Sequence, residues 1–183
     1  VLFRRQRQMC IRDRVKEEII EPERPIVDPH HHLWPGELHY LLDDLWKDTD
    51  QGHNVIKTVF IECSQEYFED GNPSFFPVGE TVFVREIASE AKKNPEKAQI
   101  SGIVGHANLL SDDVALVVDK HLKEGQGLFR GIRHAGGWDH HKEIGNSHHN
   151  PQKDLYLSDK FSQGLEELET VSYTHLTLPT KQD

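Results

Sequence analysis

The chain has 183 residues, enough for one domain with its own apolar core. It is 36% hydrophobic and 28% charged, with a formal net charge of −10, which argues against a nucleic-acid or membrane-surface partner. No apolar run approaches the roughly 18 residues of a transmembrane helix, and two cysteines, Cys10 and Cys63, give no disulfide framework and fit a reducing, cytoplasmic compartment.

The two ends differ from the middle. VLFRRQRQMCIRDR (1–14) holds five arginines against one acid, Asp13, whereas Val15–Val171 holds fifteen basic and twenty-nine acidic residues. QRQMCIRD (Gln6–Asp13) and VSYTHLTLPT (Val171–Thr180) resemble peptides translated from sequencing-adapter DNA. Residues 1–14 and 171–183 are therefore expected to be non-native or disordered ends of a truncated reading frame. Fold reasoning is confined to 15–170.

Within that middle, Pro25–His31 is a short apolar run that fits a buried strand. Leu38–Trp46 has apolar residues at helical spacing. VIKTVFIEC (Val55–Cys63) is β-branched and apolar, a clear strand. Glu80–Lys93 reads as a helix stopped by Asn94-Pro95. ISGIVGHANL, from Ile100, is a third strand. Ser111 with Asp112 and Asp113 makes an N-cap and acidic first turn for a helix running to Gly125. LFRGIRHA (Leu128–Ala135) is a fourth strand, a Gly- and His-rich loop follows over Gly136–Pro151, and Ser158–Leu168 is the last helical pattern.

Strand and helix alternate four times, which implies an α/β fold of parallel strands with crossover helices. Four βα units make the N-terminal half of a TIM (β/α)8 barrel, whose usual length is roughly 250 residues. An open doubly wound sheet is the competing fold. It usually carries a Gly-rich phosphate turn after its first strand, and histidines stand there instead. Half a barrel leaves strand edges and apolar faces uncovered, so poor solubility or self-association is expected.

Side chains alternate along a strand, so in DPHHHLW (Asp28–Trp34) Asp28, His30 and His32 share one face and His31 the other. Two imidazoles two residues apart at a strand's C-terminal end can reach one cation, and neutral imidazole suits Zn²⁺ and similar borderline ions.

This stretch resembles the Asp-x-His-x-His opening of the amidohydrolase superfamily. It is most similar to the amidohydrolase-related group of metal-dependent TIM-barrel hydrolases that includes sugar lactonases. The likeness continues in order through Gly52–Cys63, Val78–Val84, Gly102–Leu109 and Phe129–Asp139. It implies that His30 and His32 are metal ligands, holding a divalent ion such as zinc in members that use a metal. It also implies hydrolysis of a small cyclic ester or amide. The group contains metal-independent members, and the superfamily also contains decarboxylases. The family's further histidines, after strands five and six, and its proton-accepting aspartate after strand eight match no position here. The chain thus carries no complete catalytic set and is expected to be inactive by itself.

The remaining candidates follow from position at strand ends. Asp28 either orients a ligand histidine through its second nitrogen or meets backbone amides. His106 is a substrate contact or a hydrogen-bonded core histidine. Arg133 and His134 end the fourth strand, and only one can face the barrel axis. Arg133 either forks a substrate carboxylate or pairs with a helix carboxylate, and His134 can polarise a carbonyl or complete a metal shell. Glu62 is a candidate substrate contact and Cys63 a buried thiol. His140, His141, His148 and His149 resemble a metal-binding tract by composition and are expected to be solvated loop residues. The substrate expected is a small molecule, with oligomeric state left open.

Overall fold

A computed structural model describes residues 18–170; the two end segments assigned above as non-native lie outside the described residues. Four strands, β1 (Ile26–His31), β2 (Val55–Ile61), β3 (Gln99–Gly105) and β4 (Phe129–Ile132), form one sheet in the order β1-β2-β3-β4. All three pairings are parallel. Helices α1 (Leu42–Thr49), α2 (Val78–Ala91) and α3 (Val114–Gly125) cross between successive strands, and α4 (Asp159–Thr170) follows β4. The fold is therefore mixed α/β with a parallel sheet. Its strand order follows the chain without the reversal that marks a doubly wound sheet.

The cores sit between sheet and helices. Phe60, Ile103 and Phe129 are consecutive partners across β2, β3 and β4, and all three are buried. Phe60 and Ile103 pack with Leu33, Leu45, Val84 and Ala88. Phe129 packs with Val78, Leu109, Val118 and Phe161, which joins α3 and α4 to the same layer. Burying each of the Val, Leu, Ile and Phe side chains among these stabilises the fold by about 1.5–3 kcal/mol relative to exposure. The helices also pack in series, α2 on α3 and α3 on α4. At one point the approach is closest: a Cβ on Gly164 of α4 would lie 2.1 Å from the Leu109 carbonyl oxygen, so only glycine lets α4 seat on the β3–α3 loop.

Several boundaries differ from the sequence expectation, three of them at positions where the local hydrogen bonding gives the reason. The helix foreseen over Leu38–Trp46 begins at Leu42. Before it, Trp34 and Tyr40 exchange two backbone hydrogen bonds of 2.9 Å, and His39 takes a positive φ of 34°. This tight loop leaves Leu38 75% exposed, so its apolar side chain belongs to no helix face. Ser111 does not cap α3 directly; its Oγ accepts from the Asp113 amide at 3.1 Å, a local turn that delays the helix to Val114. The fourth strand ends at Ile132; the Arg133 amide makes the last bond to β3, donating to the Gly105 carbonyl at 2.8 Å, and the expected continuation to Ala135 is not strand.

Buried His121 ties two layers together. Its Nε2–H donates to the His106 carbonyl at 2.9 Å, and its Nδ1 pairs with the Thr81 hydroxyl at 2.8 Å. The ring lies flat on Phe129, with centroids 4.9 Å apart. Both nitrogens are engaged, and burial pushes its pKa down to about 4.

Candidate functional site

The C-terminal ends of the four strands converge on a group of histidines around one buried ion pair. At the end of β1, His32 Nδ1 lies 2.7 Å from the Ile61 carbonyl. A carbonyl only accepts, so Nδ1 carries the proton and Nε2 keeps its lone pair. That Nε2 lies 3.2 Å from His30 Nε2, with the rings edge to face and centroids 4.9 Å apart. Burial, with the nearby Arg133 charge, lowers the pKa of both rings, and repulsion from His30 adds to this at His32, which favours neutral imidazole.

His31 is turned the other way. It is buried beside Phe60, with ring centroids 5.8 Å apart, and burial pushes its pKa down to about 4. Asp28 reaches His30 through the backbone: its Oδ1 accepts from the His30 amide at 3.1 Å. Of the two readings of Asp28, the backbone contact is the one observed; no bond to a histidine ring is found among the described residues.

Glu62, just past β2, has no solvent exposure. Arg133 Nε donates to its Oε1 at 2.7 Å, and the Arg133 Nη2 group donates to the Glu62 carbonyl. The arginine therefore meets a strand-end carboxylate, where the sequence suggested a helix carboxylate or a substrate. His148 Nε2 lies 3.0 Å from Oε1 and 3.3 Å from Oε2, and His149 Nε2 lies 3.3 Å from Oε2. Although burial alone would raise its pKa, these partners hold the Glu62 carboxyl well below the usual carboxylate range. As a buried, fully engaged group, Glu62 orders the site from beneath.

His106 and His134 complete the floor. His106 Nδ1–H donates to the Arg133 carbonyl at 3.0 Å, and its ring stacks on His149 with centroids 3.8 Å apart. His134 Nδ1 accepts from the Leu109 amide at 3.1 Å, so its Nε2 carries the proton when neutral. Burial pushes these pKa values down to about 3 and about 4. Arg133 thus faces Glu62 while His134 faces Leu109 and packs against Phe161 of α4.

Glu80, on α2, braces the segment after Glu62. Its Oε1 accepts from the Cys63 and Gln65 amides at 3.0 and 2.8 Å. Burial pushes its pKa up to about 7. Cys63 is partly buried, its thiol donates to the Leu33 carbonyl at 3.6 Å, and burial raises its pKa.

The loop after β4 departs most from expectation. His140 and His141 are exposed beside Asp139, but His148 and His149 fold back onto Glu62. The Asn150 amide donates to the Ser147 carbonyl at 2.7 Å, which places the two histidines at the centre of a tight turn. Asn146 fastens the loop by accepting from the Asp139 amide at 2.9 Å and donating to Asn150 at 2.8 Å. Ligand atoms of Glu62, His148 and His149 lie within 4.8 Å of one another, as do those of Asp139, His140 and His141. Each group thus gathers three potential ligand atoms, the first around a buried carboxylate and the second on the exposed loop. The run Asn146-Ser-His-His-Asn-Pro151 did carry a turn signal, though nothing in it named Glu62 as the target.

No family model matches the chain, and no solved structure matches it. Among curated proteins the chain is similar to "Uncharacterized protein y4mH" of Sinorhizobium fredii (strain NBRC 101917 / NGR234). The two are 25% identical over 166 residues, which cover 78% of this chain and 50% of that protein. The chain thus spans about half the length of this relative. Among the described residues, no helix is long and apolar enough to cross a membrane.

Proposed function

We propose that the full-length protein is a metal-dependent hydrolase of the amidohydrolase superfamily, built on a TIM barrel, that opens a small cyclic ester or amide such as a lactone. The observation that carries this proposal is the His30–His32 pair. Zinc–imidazole bonds of about 2.0–2.1 Å at a tetrahedral angle place two ligand nitrogens roughly 3.3 Å apart. The two Nε2 atoms stand at 3.2 Å. The Ile61 carbonyl fixes the His32 tautomer that presents a lone pair, as outer partners of metal-bound histidines do. Their position also supports the proposal, since barrel enzymes gather their chemistry at the C-terminal ends of parallel strands.

A divalent ion such as Zn²⁺, when bound, polarises the substrate carbonyl and lowers the pKa of its water toward about 7. The chain's own residues do the rest of what this half of the site supplies. His30 and His32 stay neutral near pH 7 because burial and Arg133 disfavour their protonation. Glu62 neutralises Arg133 and fixes its direction. His134 presents Nε2–H beside His106, with ring centroids 5.4 Å apart, as a donor for a substrate oxygen. The proton acceptor that the family resemblance implies comes from elsewhere in the full-length protein, so these 183 residues alone are proposed to be inactive and cytoplasmic.

The test is lactone hydrolysis and Zn²⁺ content in the full-length protein and its His30→Ala/His32→Ala variant. Loss of hydrolysis and of one Zn²⁺ equivalent is expected. Full activity in the variant refutes a metal or catalytic role for the pair. Carbon dioxide release from a carboxylated ring, without lactone opening, moves the assignment to a decarboxylase.

A further inference from the structure

We propose that Glu62, His148 and His149 form a second divalent-cation site, distinct from the His30–His32 pair, that clamps the β4–α4 loop over the strand ends. Both histidines reach one oxygen of the Glu62 carboxylate, Oε2, while Arg133 Nε holds the other, Oε1, at 2.7 Å, and His148 Nε2 also lies 3.0 Å from Oε1. Oε2 is 3.3 Å from the Nε2 atoms of both His148 and His149, close to the roughly 3.3 Å edge of a tetrahedral shell of N and O ligands. The three ligand atoms already lie within 4.8 Å of one another, and an ion on Oε2 and the two nitrogens requires His148 to turn from Oε1 toward it. Arg133 then serves as the outer partner of the ligating carboxylate, a common arrangement around bound metals.

Three further observations fit a built site. Neighbouring side chains in extended chain point apart, yet the Ser147–Asn150 turn aims His148 and His149 at one carboxylate. The His149 ring is fixed by stacking on His106, itself anchored to the Arg133 carbonyl. The His148 and His149 side chains are 39% and 20% exposed while Glu62 is fully buried, so solvent reaches the ion position from one side. Two imidazoles and one carboxylate with an open position suit Zn²⁺, Co²⁺ or Fe²⁺. Arg133 subtracts from the negative charge of the site, which makes it selective for ions that favour nitrogen and disfavours Mg²⁺ and Ca²⁺. With the ion bound, the loop from Gly136 to Pro151 is stapled to β2, and a strand end that comes 86 residues earlier (Glu62 to His148) becomes part of one rigid mouth.

The test is titration of the 183-residue chain with Co²⁺, read by visible d–d absorption and calorimetry, on wild type, His148→Ala, His148→Ala/His149→Ala and His30→Ala/His32→Ala. Circular dichroism checks each fold; His148→Ala alters a half-exposed loop residue and is the safeguard against unfolding. One tetrahedral Co²⁺ equivalent is expected to survive in His30→Ala/His32→Ala and to weaken at least ~100-fold in His148→Ala. Zn²⁺ is expected to slow proteolytic cleavage within Gly136–Pro151 in wild type but not in the His148 variants. Co²⁺ binding unchanged in the His148 variants, absent from wild type, or abolished by His30→Ala/His32→Ala overturns the proposal. The last result leaves the His30–His32 assignment standing, so the two fail separately.

Discussion

Replacing Glu80 by Gln is expected to abolish the pH dependence that this one side chain imposes on stability. Glu80 is 1% exposed, and burial raises its pKa from 4.5 to about 7. The folded chain therefore holds a proton that the unfolded chain has released between pH 4.5 and about 7. Stability falls as pH rises through that window. At about 1.4 kcal/mol per pH unit, the interval is worth about 3 kcal/mol, fully lost above pH 7. Gln keeps an oxygen to accept from the Cys63 and Gln65 amides and cannot ionise. The assay is urea unfolding of wild type and Glu80→Gln at half-unit steps from pH 4.5 to 8. All other titrating groups are common to both proteins, so their difference isolates Glu80. The variant is expected to be no more stable than wild type at pH 4.5 and more stable by about 3 kcal/mol at pH 8. A difference that stays constant within about 0.5 kcal/mol across the range refutes the reasoning, because it means the carboxylate is either solvated or compensated.

Arg133→Met strands the buried Glu62 carboxylate and is expected to cost about 3 kcal/mol in urea unfolding, with His148 and His149 limiting the loss. The double variant Arg133→Met/Glu62→Gln is expected to be more stable than Arg133→Met alone; equal stability would show that the pair is not coupled. Gly164→Ala pushes a methyl into the Leu109 carbonyl and is expected to lower stability by about 1–3 kcal/mol, read as a fall in Tm, while Gln163→Ala on the exposed side leaves Tm nearly unchanged.

What could be read in the sequence was local and periodic. The two-residue period of a strand set His30 and His32 apart from His31, and the structure has the first two rings in contact and the third against Phe60. Alternating apolar runs named four strands and their parallel sheet. The start of α1 was misread because Leu38 and Tyr40 mimic helical spacing while Trp34 and Tyr40 pair backbone to backbone, a contact no propensity encodes. The Glu62–Arg133 pair spans 71 residues, and spacing says nothing about such partners. His148 and His149 resemble a metal-binding tract by composition and are expected to be solvated; their direction is set by the Ser147–Asn150 turn and by a carboxylate that another strand delivers.

A sheet ordered as the chain is ordered also constrains how it is made. Asp28 pairs with Thr58, Phe60 with Ile103 and Ile103 with Phe129, so each strand finds its partner one βα unit away. Loop closure for each step is short and its entropy modest, and among the described strands none must wait for a distant segment before it can dock. As synthesis proceeds from the N-terminus, β2 can settle on β1 before β3 exists, and each new helix arrives on a surface already laid down. The last step is different in kind: His148 and His149 return to a carboxylate placed two strands earlier, so the strand-end mouth assembles after the sheet beneath it.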